Sequence, residues 1–249
     1  MKRLAVFVEG ETELEFVSKF LQEVAGQKHI SIDAYKCFGG GKSGINRWDQ
    51  LLASSSVTDE KYYALIYVSG TDNRVNHDIR RKLPTLKAQN FNRIVGLKDL
   101  RGEHYGRTMS LADLPSMELG SRVVERECLP LPARIVIAVM EIETWFLAET
   151  NHYECVDAGL TKSTVLSSIS TIGFNPYTDD LTLRPEPAED LKRLYQTVGK
   201  SYNKKSKYRT RTIECLDYAE IYINLRNQIV KLGQFVTEID NFLTDTNDF

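Results

Sequence analysis

Three short segments put carboxylates directly after apolar runs: Val8-Glu9-Gly10-Glu11-Thr12-Glu13, Leu97-Lys98-Asp99-Leu100-Arg101-Gly102-Glu103 and Met140-Glu141-Ile142-Glu143. In an open parallel sheet, ligands bind beyond the carboxyl ends of the strands. A carboxylate at such an end is costly unless it is paired or metal-bound. Glu9, Asp99 and Glu143 are therefore the candidate catalytic and metal-binding residues. Hard oxygen ligands of this kind suit Mg²⁺, which takes one or two carboxylates and keeps several waters. Mn²⁺ is the expected substitute. Glu11 and Glu13 also complement the dipole of a helix starting after Gly10.

Other chemistries find less support. Gly39-Gly40-Gly41-Lys42-Ser43-Gly44 invites comparison with a nucleoside-triphosphate loop, but the glycine required five residues before Gly41 is Lys36. The four histidines (His29, His77, His104, His152) show no ligand spacing, and no nucleophile has a local partner to activate it. From Leu191 to Ile213 there are eight Lys or Arg and no Asp or Glu, interleaved with Tyr195, Tyr202 and Tyr208. Basic side chains mixed with aromatics suit phosphate contacts and base stacking. Lys200, Lys204, Lys205, Lys207, Arg209 and Arg211 are the residues expected to contact DNA or RNA, although a solvated basic face accounts for them equally well.

The elements that must position these groups follow from hydrophobic period. Leu4–Val8, Ile30–Phe38, Tyr63–Val68, Ile94–Leu97 and Arg134–Met140 read as strands. Between them, residues 11–24, 45–53, 75–88 and 117–128 read as helices, with Pro84 expected to kink or shorten the third. Alternation of this kind predicts an α/β fold, a mostly parallel Rossmann-like sheet with helices on both faces. Beyond about residue 155 the strand signals fade into helices over 160–172, 187–198 and 213–243. The expected organisation is an α/β domain over 1–155 and a helical C-terminal region over 156–249, packed on the first as one unit or standing apart.

A formal net charge of −2 over 249 residues gives no global pull toward polyanions, so any such binding must be local. The apolar runs are strand-sized, too short to span a bilayer. The apolar stretch after Met1-Lys2-Arg3 ends at Glu9, too early for a signal peptide. Cys37, Cys128, Cys155 and Cys215 show no paired spacing, which suggests neither disulfide nor zinc and favours a reducing cytoplasm.

At residues 8–13 the chain resembles the TOPRIM superfamily of topoisomerases, primases and OLD-type nucleases. More closely, it resembles poorly characterised bacterial TOPRIM-like proteins related to OLD and RloB. The likeness runs through Val-Glu-Gly-x-Thr-Glu at 8–13, the glycine-rich turn at 39–44, Glu-x-Trp-x-Leu-Ala at 143–148 and the basic stretch at 200–211. It implies a Mg²⁺-dependent nuclease acting in bacterial defence against phage or mobile DNA. Glu9 matches the first TOPRIM glutamate and Asp99 the first aspartate of Asp-x-Asp. Arg101 stands where the second aspartate belongs, leaving Glu13, Asp72 and Glu103 as further candidate metal ligands. The same departure supports a rival expectation, a catalytically degenerate regulatory subunit working with a partner such as an ATPase.

Overall fold

The computed structural model describes residues 1–27, 29–39, 47–70, 72–101, 103–104 and 107–244. Two compact units emerge. The first comprises Met1–Ile137 and Gln234–Phe249; the second comprises Ala138–Gly233. The division expected near residue 155 thus falls inside the second unit. Among the described residues, no helix is long and apolar enough to cross a membrane.

The first unit is built on a six-stranded, mostly parallel sheet. Its strands are β1 (Lys2–Val8), β2 (Ile30–Phe38), β3 (Trp48–Ser55), β4 (Tyr62–Val68), β5 (Arg93–Asp99) and, after a small hairpin of β6 (Glu103–His104) and β7 (Arg107–Thr108), β8 (Ala133–Ala138). Their order is β3-β2-β4-β1-β5-β8. Central β1 runs parallel to β4 on one side and to β5 on the other, and β2 runs parallel to β4. The last five residues of both β1 and β4 are buried without alternation, as a sheet covered on both faces requires.

Side-chain parity assigns the helices to the two faces. Ala5, Phe7, Leu65 and Tyr67 pack in one cluster with Val75 and Ile79 of α2 (Asp72–Ala88) and with Val124 and Cys128 of α3 (Leu114–Cys128). On the opposite face lie Leu4, Val6 and Val8. There α1 (Glu11–Ala25) contributes Phe16 and Phe20, against which Phe235 of α11 (Val230–Thr244) packs with ring centroids 6.2 and 5.6 Å away. Phe242 of α11 meets Tyr62 at 5.5 Å. The helix leaving β1 therefore covers one face, while those leaving β4 and β5 cover the other. In open α/β sheets, ligands bind at the carboxyl edge where the crossover side reverses, and Glu9 follows directly on the end of β1 there.

One expected element is of the wrong type. The helix read over 45–53 gives way, from Trp48 onward, to strand β3, antiparallel to β2. Trp48, Leu51 and Leu52 fit a helical face, but so short an apolar run does not distinguish helix from strand. Pairing of Trp48 opposite Phe38, with rings stacked at 4.8 Å, completes the ladder beside β2. Pro84 lies inside α2 without ending it.

An ionic network braces this edge of the sheet. Buried Asp78 on α2 accepts from Arg47 and Arg81, and Asp49 on β3 accepts from Arg81 and Lys82. Burial raises the Asp49 pKa, but the hydrogen bonds from Arg81 and Lys82 outweigh it and hold the carboxyl at about 2, below its ordinary 3.8. A depressed carboxyl pKa contributes stability that is complete above about pH 4 and lost as pH falls toward 2. Acid-unfolding curves of the protein and of Asp49→Asn should accordingly differ above pH 4 and converge near pH 2. A constant offset through that window would remove Asp49 from the network's pH response.

The second unit is helical: α4 (Glu143–Ala148), α5 (His152–Val156), α6 (Lys162–Ser167), α7 (Ile169–Ile172), α8 (Pro187–Gln196), α9 (Ser206–Cys215) and α10 (Tyr218–Ile223). Trp145, Tyr153, Tyr195 and Tyr202 are its largest buried side chains. Cys155 and Cys215 form a disulfide between α5 and α9, with a sequence separation of 60. This corrects the expectation of four unpaired cysteines; a bridge between distant helices leaves no local spacing to read. Burial and the nearby Asp78 and Asp49 carboxylates push the free Cys37 thiol up to about 12, which leaves it inert as a nucleophile.

Candidate functional site

In the first unit, β1 delivers Glu9 and β5 delivers Asp99 to the same edge. The two strands are in register up to Val8 opposite Leu97. The Asp99 N–H donates to Glu9 Oε2 at 3.1 Å. The Glu9 backbone is fixed from the other side, its carbonyl accepting the Gly70 N–H at 2.8 Å just beyond β4. Glu9 is thus tied to both neighbouring strand ends. Its carboxylate is half-buried, and Asp99 and Lys98 are buried.

Glu13 occupies a different role. Its Oε2 accepts the Gly10 N–H at 2.8 Å, closing a capping interaction at the start of α1. Gly10 suits the turn because a Cβ there would meet Glu13 Oε2 at 3.1 Å. Glu11 turns to Lys36, 3.0 Å away. The Asp72 and Glu103 side chains and residues 40–46 lie outside the described residues, and with them those two candidate ligands and most of the glycine-rich turn.

In the second unit, Glu141 and Glu143 are buried close to the start of α4. Lys204 Nζ lies 3.0 Å from Glu141 Oε1 and 3.7 Å from Glu143 Oε1. Tyr202 donates its hydroxyl to Glu143 Oε1 at 2.8 Å. Glu141 also accepts the Ala188 N–H at 3.3 Å, at the N-terminal turn of α8. Glu141 shares the strand-end signal of Glu143 although only Glu143 was expected to act, and Tyr202, expected as a base-stacking aromatic, is instead buried against Glu143. Each unit thus carries buried carboxylates able to serve a metal ion, Asp99 in the first and Glu141 and Glu143 in the second. The all-carboxylate donor set fits a hard divalent cation.

The basic stretch divides into two kinds of residue. Arg209 is buried, and its Nη1 donates to the Lys204 carbonyl at 2.9 Å. Arg211 Nη2 donates to the Ser201 carbonyl at 2.5 Å, and its guanidinium lies over the Tyr195 and Tyr208 rings. Both arginines hold the 200–205 segment in place. Lys200 pairs with Asp157 at 3.3 Å. Lys205 and Lys207 are exposed at the start of α9.

No protein-family model matches the chain, and no curated protein matches it. A solved structure, the "putative cell surface hydrolase from Lactobacillus plantarum WCFS1", is 11% identical, with 98% of this chain and 91% of that chain covered. Its TM-score is 0.28, a likeness too slight to bear on fold or chemistry.

Proposed function

We propose that the protein is a divalent-metal-dependent enzyme that cleaves phosphodiester bonds in DNA or RNA, in the manner of the TOPRIM-like proteins it resembles and in the same setting of bacterial defence. The supporting observation is the placement of Glu9 at the end of central β1, hydrogen-bonded to the Asp99 backbone at the end of β5. Asp99 of the first unit and Glu143 of the second are the candidate ligands for Mg²⁺ or Mn²⁺ in this reading. When bound, the ion polarises a phosphoryl oxygen and lowers the pKa of an attacking water. Glu9 either shares the metal or takes the proton from that water. Lys205 and Lys207 contribute exposed positive charge toward the phosphate backbone.

The test uses purified protein with labelled DNA and RNA in Mg²⁺, in Mn²⁺ and in a chelator. Cleavage with either metal that stops in the chelator is the expected result. Intact substrates under every condition would overturn the reading. A second reading, a regulatory subunit that needs a partner such as an ATPase, draws on a specific contact: Lys204 already neutralises part of the carboxylate pair. Cleavage that appears only when an ATPase partner is added would favour it.

A further inference from the structure

Lys204 is built into an unusual position for a residue in a basic surface stretch. Its side chain remains 48% exposed, yet its ammonium reaches two buried carboxylates, Glu141 and Glu143. The backbone that aims it is fixed by its own neighbours. Arg209 Nη1 holds the Lys204 carbonyl, and Asn203 Oδ1 accepts the Lys205 N–H at 2.9 Å. Tyr202 meanwhile anchors Glu143 from the same segment. The segment 202–209 thus places one half-exposed cation on an acid pair and leaves two others, Lys205 and Lys207, facing solvent.

We propose that Lys204 is a displaceable counter-ion that couples divalent-metal binding to nucleic-acid binding at this site. The inference rests on the metal reading above. Glu141 and Glu143 cannot serve a dication and the Lys204 ammonium equally well, because the two cations repel each other. Metal entry therefore expels the ammonium, whose flexible four-carbon stem and half-exposed position let it swing to solvent without moving the backbone. There it joins Lys205 and Lys207 and adds one cation to the surface offered to a phosphate backbone. By linkage, a polyanion that engages Lys204 tightens metal binding by the same factor. Bare carboxylates and a bound metal are thus matched to two positions of one lysine.

The experiment compares the protein with Lys204→Met, Lys204→Arg and Lys205→Met by calorimetric titration with Mn²⁺, after thermal melts establish that all four are folded. Lys204→Met removes the competitor and should bind Mn²⁺ about fivefold more tightly, the worth of one half-exposed ion pair. Lys204→Arg and Lys205→Met should match the unaltered protein. The second readout is the salt dependence of binding to a fluorescein-labelled, cleavage-resistant phosphorothioate single strand. Adding Mn²⁺ should steepen the log-log salt slope of the unaltered protein by about 0.7, one additional phosphate contact. It should leave Lys204→Met unchanged. Equal Mn²⁺ affinities in the unaltered protein and Lys204→Met would overturn the coupling while leaving the metal reading intact. Absence of Mn²⁺ binding in every variant would overturn the metal reading itself.

Discussion

Replacing Asp78 by alanine is expected to destabilise the sheet unit by about 3–5 kcal/mol, the usual cost of stranding a buried partner charge. Asp78 is fully buried, and Arg47, itself nearly buried, donates to it through Nε and Nη2 at 2.5 Å each. The same guanidinium donates to the carbonyls of Gly39 and Ser69, at 2.9 and 2.7 Å, which lie just past the ends of β2 and β4. Asp78 thus supplies the charge that lets one arginine clamp two strand ends. Without it the guanidinium retains only neutral acceptors in a buried setting, while Arg81 retains Asp49. A melting-temperature drop of roughly 10 °C corresponds to that loss in a unit of this size. The double variant Asp78→Leu with Arg47→Leu removes both charges and should recover much of the loss. Chemical denaturation showing Asp78→Ala within 1 kcal/mol of the unaltered protein would show that the clamp is dispensable.

The second large effect is expected in activity rather than in stability. Glu9→Gln should reduce metal-dependent cleavage by at least about 100-fold, the lower range for loss of a general base. The substitution preserves shape. An amide oxygen can still accept the Asp99 N–H now held at 3.1 Å, and the backbone bond from Gly70 to the residue 9 carbonyl is untouched. What disappears is the negative charge at the end of β1. Unfolding curves should therefore nearly superimpose while the turnover rates separate. Cleavage at an unchanged rate would remove Glu9 from the chemistry, and a large loss of stability would make it a structural residue instead.

Much of the sheet was legible because burial on both faces imposes continuous apolar runs. Ile30–Phe38 was readable to its end residues, and β1, β4, β5 and β8 to within two residues at either end. The sequence was ambiguous where burial is one-sided or absent. β3 is largely exposed, so Trp48, Leu51 and Leu52 carried no decisive period. Positions of acids at strand ends were equally readable, since topology alone brings Glu9 and Asp99 to one edge. Partners were not. Lys204, Arg209 and Arg211 look alike in a basic run, yet one neutralises buried acids and the other two hold backbone carbonyls. The Cys155–Cys215 bridge was hidden for the same reason, since it depends on how α5 and α9 pack rather than on spacing.

The return of α11 to the first unit has a consequence for how the chain leaves the ribosome. Residues 139–234, a stretch of 96 counted from 234 − 139 + 1, are synthesised between the last strand of the sheet and the Phe235 that covers Phe16 and Phe20. At about 5–20 residues per second, that interval lasts roughly 5–20 s. During it, the nascent sheet carries an aromatic face on α1 that its final partner has not yet reached. This is the window in which a holding chaperone would find an apolar target, and it closes only as α11 emerges.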